Sequence, residues 1–105
     1  MPQNITDKDF EEKVTESKGL VLVDFWADWC SPCHALAPTL EKLDEELGDS
    51  LTVAKLDVDA NPKSAQAHQV SSIPTVKLFK DGEEVEVIIG VQPKHVYQQL
   101  VEKHS

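Results

Sequence analysis

The run Leu-Val-Leu-Val-Asp-Phe-Trp at 20–26 constrains the fold of this chain more than any other stretch. Seven residues are too few for a typical helix, and the run is too continuously apolar for a solvated edge strand. It reads as a strand buried on both faces. Leu-Thr-Val-Ala-Lys-Leu-Asp-Val at 51–58 reads as a second central strand. Between the two, Leu36, Leu40, Leu43 and Leu47 recur at one-face helical spacing, and Gly48 closes the helix. Pro38 lies inside it and predicts a kink against the carbonyl of His34. Strands joined by helical crossovers are expected to be parallel and right-handed, which makes this an α/β domain.

The flanking segments complete the pattern. Thr6 reads as a helix N-cap, with Asp9 three residues on and Ile5 and Phe10 spaced as a hydrophobic staple. Phe10 and Val14 share a face of that helix, and Gly19 ends it. Asn61-Pro62 reads as a cap and first-turn proline, opening a short helix that fades near Gln69. Asp81-Gly82, between the β-type runs 75–79 and 84–89, predicts an antiparallel hairpin. Pro93 starts a last helix that turns Val96, Tyr97, Leu100 and Val101 inward. The expected architecture is a mixed sheet flanked by helices, in one domain spanning 1–105.

Charge narrows the function. Nineteen acids face 10 bases, every one a lysine, for a net charge of -9. Binding to a phosphate backbone is driven by basic side chains, so a nucleic-acid partner is not expected. No stretch approaches the roughly 20 apolar residues that span a bilayer. The N-terminus has neither the basic segment nor the apolar run of a secretory signal, and Met1 reads as an initiator. Both point to a cytoplasmic chain. Cys30 and Cys33 are the only cysteines, and so small a loop gains little stability from being closed.

Reactivity is the better reason for the pair. Trp29-Cys30-Ser31-Pro32-Cys33-His34 fits a redox dithiol, and it also fits the C-x-x-C-H pattern of covalent haem attachment. Haem needs a second iron ligand and a large apolar pocket, and Met1, the one methionine, is terminal. A structural zinc site normally takes four ligands, and there is no second cysteine pair. No metal or cofactor is therefore expected. The pair falls where a buried strand meets a helix, the position where chemistry collects in open α/β sheets. Unpaired amides at a helix start favour an anion, which makes Cys30 the nucleophile and leaves Cys33, one turn further in, to resolve the mixed disulfide. Pro32 suits the first turn.

Asp24 and Lys55 interrupt the apolar strands. They can form a structural ion pair, or Asp24 can exchange a proton with Cys33 while Lys55 modulates it. Ile73-Pro74 either marks a strand start or carries a cis bond that exposes backbone to an extended substrate. Trp29 reads as a surface aromatic beside the nucleophile and Trp26 as core. His95, His104 and the acids 83, 84 and 86 read as solvated surface.

VDFWADWCSPC, AKLDVD, SIPTVKLFKDG and the closing segment containing Gly90 resemble the thioredoxin family along essentially the whole chain. The resemblance implies a five-stranded mixed β-sheet flanked by four α-helices. It implies a monomeric thiol–disulfide oxidoreductase that reduces protein disulfides and is recharged by an NADPH-dependent thioredoxin reductase. In these terms Cys30 attacks, Cys33 resolves, Asp24 transfers a proton, Lys55 neighbours Asp24 and Pro74 is cis. Trp29, Ser31, Pro32, Ile73, Pro74 and Gly90 then bind substrate. Three positions depart from the family pattern. Ser31 replaces a glycine, His34 a lysine or arginine, and His68-Gln69 a Tyr-Gly pair. Ser31 and a protonated His34 are expected to stabilise thiolate and make the pair more oxidising. The rival readings are a binding subunit or chaperone built on the same fold, and a disulfide oxidant.

Overall fold

The computed structural model describes residues 1–105. Its strands are β1 (Gln3–Asn4), β2 (Leu20–Trp26), β3 (Thr52–Asp57), β4 (Thr75–Lys80) and β5 (Glu83–Ile89). Three α-helices, α1 (Ser31–Leu47), α2 (Pro62–Ala67) and α3 (Lys94–His104), and a short helical segment, Glu11–Thr15, make the four expected helices. A single 3-10 turn, Gly48–Ser50, follows α1. The five strands form one mixed sheet in the order β1-β3-β2-β4-β5. This is the thioredoxin-like architecture expected from the sequence.

The apolar run at 20–26 becomes the middle strand, because its side chains have a core to enter on either side. Leu20 and Leu22 join Leu36, Leu40 and Leu43 of α1 and Tyr97 and Val101 of α3. Val21, Val23 and Phe25 face the other way, toward Ile5, Phe10 and Val14. Asp24 falls in step with Leu20 and Leu22 and so lies on the α1 side of the sheet. Helix α1 runs unbroken through Pro38 to its cap at Gly48.

Four expectations need correction. Strand β4 pairs antiparallel with β2, whereas β3 pairs parallel with it. The helical crossover α2 therefore joins antiparallel strands: the chain leaves β3, passes β2 and returns on the other side in the opposite direction. Near the N-terminus, Asp9 accepts the Thr6 N–H at 2.6 Å, the return half of a capping box, but the helical segment itself is short and wide. Its last bond runs five residues back, from the Glu16 N–H to the Glu11 carbonyl at 2.8 Å. In α2, Asn61 occupies the cap position but does not cap. Its side-chain oxygen accepts the Asp7 N–H, while the Asp7 carboxylate accepts the N–H groups of Lys63 and Ser64. Finally, Val96 is only half-buried on α3, as is Trp26 at the end of β2, whereas Leu100 packs against the core as expected.

The hairpin follows its sequence signal. Asp81 and Gly82 both have positive φ, 51° and 86°, the pairing that a two-residue turn between twisted strands requires. Only glycine fits at 82, since a Cβ there would lie 1.9 Å from the Thr15 carbonyl oxygen. That close approach seats the turn on the end of the N-terminal helical segment. The Gly19 N–H adds a bond to the Asp81 carboxylate at 2.7 Å.

Candidate active site

Cys30 and Cys33 are joined by a disulfide at the junction of β2 and α1. Cys30 is the N-cap of α1, with extended backbone, and its Sγ accepts the Cys33 N–H at 3.2 Å. An unpaired first-turn amide is thereby aimed at this sulfur, as the position of the pair in the sequence predicted. Neither sulfur is open to solvent in this state. In the closed disulfide Cys30 is 4% exposed and Cys33 2%, because Trp26, Val58 and Ile73 pack around them with Ala27. The contrast between an open and a buried sulfur is therefore small in this state. Ser31 and Pro32 are exposed beside the pair.

Asp24 is fully buried on the sheet face that carries the buried stripe of α1, a stripe that begins with Cys33. Neither carboxylate oxygen has a hydrogen-bond partner within the protein. Burial pushes its pKa up to about 7, against the lowering pull of Lys55. Asp24 and Lys55 are register partners on β2 and β3, yet no ion pair forms between them. The Lys55 ammonium instead sits over the Trp26 ring, 4.4 Å from its centroid. Of the two sequence readings, the structural ion pair is absent, and a carboxyl that titrates near neutrality is present.

The Ile73–Pro74 bond is cis. The Pro74 carbonyl accepts the Gly90 N–H at 2.9 Å, which brings the end of β5 beside the proline. Gly90 has φ 87°, and an added Cβ would meet nothing within 4 Å. Backbone conformation, not crowding, demands glycine there, and the space above it is open. Trp29 is 69% exposed, and its indole N–H donates to Asp59 at 2.7 Å. Beside it runs an open groove of about 320 Å³, lined by Trp29, Val58, Val70, Ser71, Ser72 and Ile73.

Cys30, Cys33, Trp29, Ile73 and the Pro74–Gly90 contact thus gather at one end of the sheet, with Asp24 beneath. His34 does not join them. Its Nε2 lies 2.6 Å from the Asp28 carbonyl, which can only accept, so the ring donates to backbone. Its other neighbour is the Trp26 ring, edge-on at 6.0 Å. The expected help from His34 to a thiolate has no geometric basis, whereas its exposed position matches a solvated surface role. Sequence reasoning missed Asp59 and the loop 70–72. Asp59 carried a usable signal, an acid just past the carboxyl end of a central strand.

The family model described as "Thioredoxin" matches residues 1–103. The chain is similar to the thioredoxin of Bacillus subtilis, 50% identical over 94% of this chain and 93% of the relative. It is also similar to the thioredoxin of Listeria monocytogenes, 48% identical over 99% of both chains. With that of Staphylococcus aureus it shares 46% over 95% of this chain and 94% of the relative.

Proposed function

The chain belongs to the thioredoxin family of thiol–disulfide oxidoreductases, and we propose that its Cys30–Cys33 pair reduces protein disulfides with the following division of labour. Cys30 is the attacking sulfur. Its thiolate bonds to one sulfur of the substrate disulfide, and the other leaves as a thiolate that takes up a proton. Cys33 then gives its proton to the Asp24 carboxylate and attacks Cys30 Sγ. The Cys30–Cys33 disulfide forms, the second substrate thiolate leaves, and two electrons have passed from the dithiol to the substrate. Lys55 tunes Asp24 through its field.

The observation that carries this assignment is the hydrogen bond that the Cys33 backbone N–H donates to Cys30 Sγ at the helix start, which favours negative charge on Cys30. The proton role of Asp24 is supported by its burial without a partner and its pKa near the working range. We place the substrate in the groove beside Trp29 and Ile73, its backbone approaching Pro74 and the open face of Gly90, with Ser31 and Pro32 at the rim. Residues 1–105 act as one thioredoxin domain, a cytoplasmic monomer recharged by an NADPH-dependent thioredoxin reductase. No helix is long and apolar enough to cross a membrane.

Brief alkylation of the reduced protein at neutral pH tests the roles. Cys30 is expected to be modified first, with Cys33 protected until the protein is denatured. A Cys33→Ser variant should hold a protein substrate as a stable mixed disulfide through Cys30. Trapping by a Cys30→Ser variant instead would reverse the assignment, and full cellular function of Cys30→Ser would point to a binding subunit.

A further inference from the structure

On the sheet face away from α1, β4 presents two donors two residues apart. The Thr75 hydroxyl donates to the Ser72 carbonyl at 2.6 Å. Lys77 Nζ donates to the His68 carbonyl at 2.7 Å. These carbonyls bracket the segment 69–71, which enters through Gln69 in the left-handed region at φ 58°. Val70, Ser71, Ser72 and Ile73 make up four of the six groove-lining residues.

The Lys77 side chain is 8% exposed, a costly place for an ammonium unless its charge is answered. Glu84 answers it from the neighbouring strand β5. The His68 ring is held independently, tilted against Phe10 with centroids 4.7 Å apart and edge-on to Phe79 at 5.6 Å. The backbone at 68 is therefore clamped by its ring on one side and by Lys77 on its carbonyl. A buried lysine whose Nζ is spent on a loop carbonyl and one carboxylate fixes that loop more than it stabilises the sheet.

We propose that Lys77, neutralised by Glu84, is a positioning residue that holds the 69–73 loop in its groove-forming conformation and so sets affinity for protein substrates. The proposal rests on the reading of that groove as the protein-substrate seat. Without the tether, the loop samples other conformations and only the competent fraction binds, which raises the apparent dissociation constant by the reciprocal of that fraction. Chemistry at the dithiol is untouched, so a disulfide too small to use the groove should notice nothing.

The test compares wild type, Lys77→Met and Glu84→Gln, with dithiothreitol as electron source, on insulin as a protein disulfide and on hydroxyethyl disulfide as a small one. Amide exchange across 70–73 and the reduction potential are followed alongside. Loss of a charge-assisted bond predicts a KM for insulin roughly tenfold or more higher in Lys77→Met, with kcat, the small-disulfide rate and the potential unchanged and faster exchange at 70–73. Glu84→Gln keeps the bond to His68 and should show a smaller effect of the same kind. An unchanged KM, a parallel loss on both disulfides, or a larger effect from Glu84→Gln than from Lys77→Met overturns the proposal. Should wild type reduce neither disulfide, the functional reading fails, and amide exchange in Lys77→Met still decides whether the tether exists.

Discussion

Asp24 and Ser31 are where single side chains decide behaviour. In the proposed mechanism the buried, unpartnered Asp24 carboxylate can take the Cys33 proton only while ionised, so Asp24→Asn should leave attack by Cys30 intact and slow the closing step. A missing general base typically costs on the order of 10²-fold. Quenched-flow alkylation checks this: the mixed disulfide should accumulate in Asp24→Asn and not in wild type. An unaltered closing rate would assign the proton to another acceptor. Ser31 is exposed and its hydroxyl is engaged by no other group, so it is free to turn toward a thiolate once the disulfide opens. A hydrogen bond of about 1 kcal/mol, made only in the reduced form, corresponds to about 20 mV for a two-electron couple. Ser31→Gly should therefore be more reducing by about that amount against glutathione. His34, committed to the Asp28 carbonyl, should move the potential little when changed to Gln.

Individual elements show which parts of the fold a sequence can announce. Strand β2, the leucine stripe of α1 and the Asp81-Gly82 turn were legible because each is a local pattern with one physical solution. The reversal of β4 was not, since α2 suits either direction and the choice depends on where β2 already lies. Nor was the cap of α2, because Asp7 reaches it from more than 50 residues away. The same divide holds at the site. The dithiol, Asp24 and Ile73-Pro74 announce themselves by type and spacing, whereas Lys77 gains meaning only from the partners the fold delivers. The remote cap makes its own prediction. Asp7→Ala removes the acceptor for two first-turn amides and should cost roughly 1 kcal/mol, lowering Tm by about 4–8 °C. Asn61→Ala should cost less, since Asn61 does not serve its own helix. Equal losses from the two would mean that the Asp7 carboxylate cap contributes no more than the separate Asn61 bond to the Asp7 N–H.

For the molecule as a whole, the separate titrations combine into one pH profile of stability. Asp24 has a folded pKa of about 7 against 3.8 when unfolded, so between these values the folded state holds the extra proton. Its contribution is complete below pH 3.8 and is lost as pH rises to 7, on the order of 4 kcal/mol at about 1.4 kcal/mol per unit. His68 works in the opposite sense. Burial, with the charge of Lys77 adding and Glu84 opposing, holds its pKa below 6.5, so its contribution is present above pH 6.5 and fades as pH falls. The Thr6 amide on Asp9 and the His104 bond to Glu86 lower those carboxylates, and for Asp7 the bonds from Ser64 and Lys63 outweigh burial; all three favour folding until pH falls below about 4. Stability of the oxidised protein is thus expected to peak on the acid side of neutrality and to decline through pH 7, where a net charge of -9 adds self-repulsion. Urea unfolding at pH 4.5 and pH 8 separates the causes. Asp24→Asn should gain about 3–4 kcal/mol over wild type at pH 8 and little at pH 4.5, because burial penalises the ionised carboxylate far more than a neutral amide or carboxyl. A gain of equal size at both values would mean that Asp24 is destabilising through packing, and its use as a proton acceptor near pH 7 would lose its thermodynamic support.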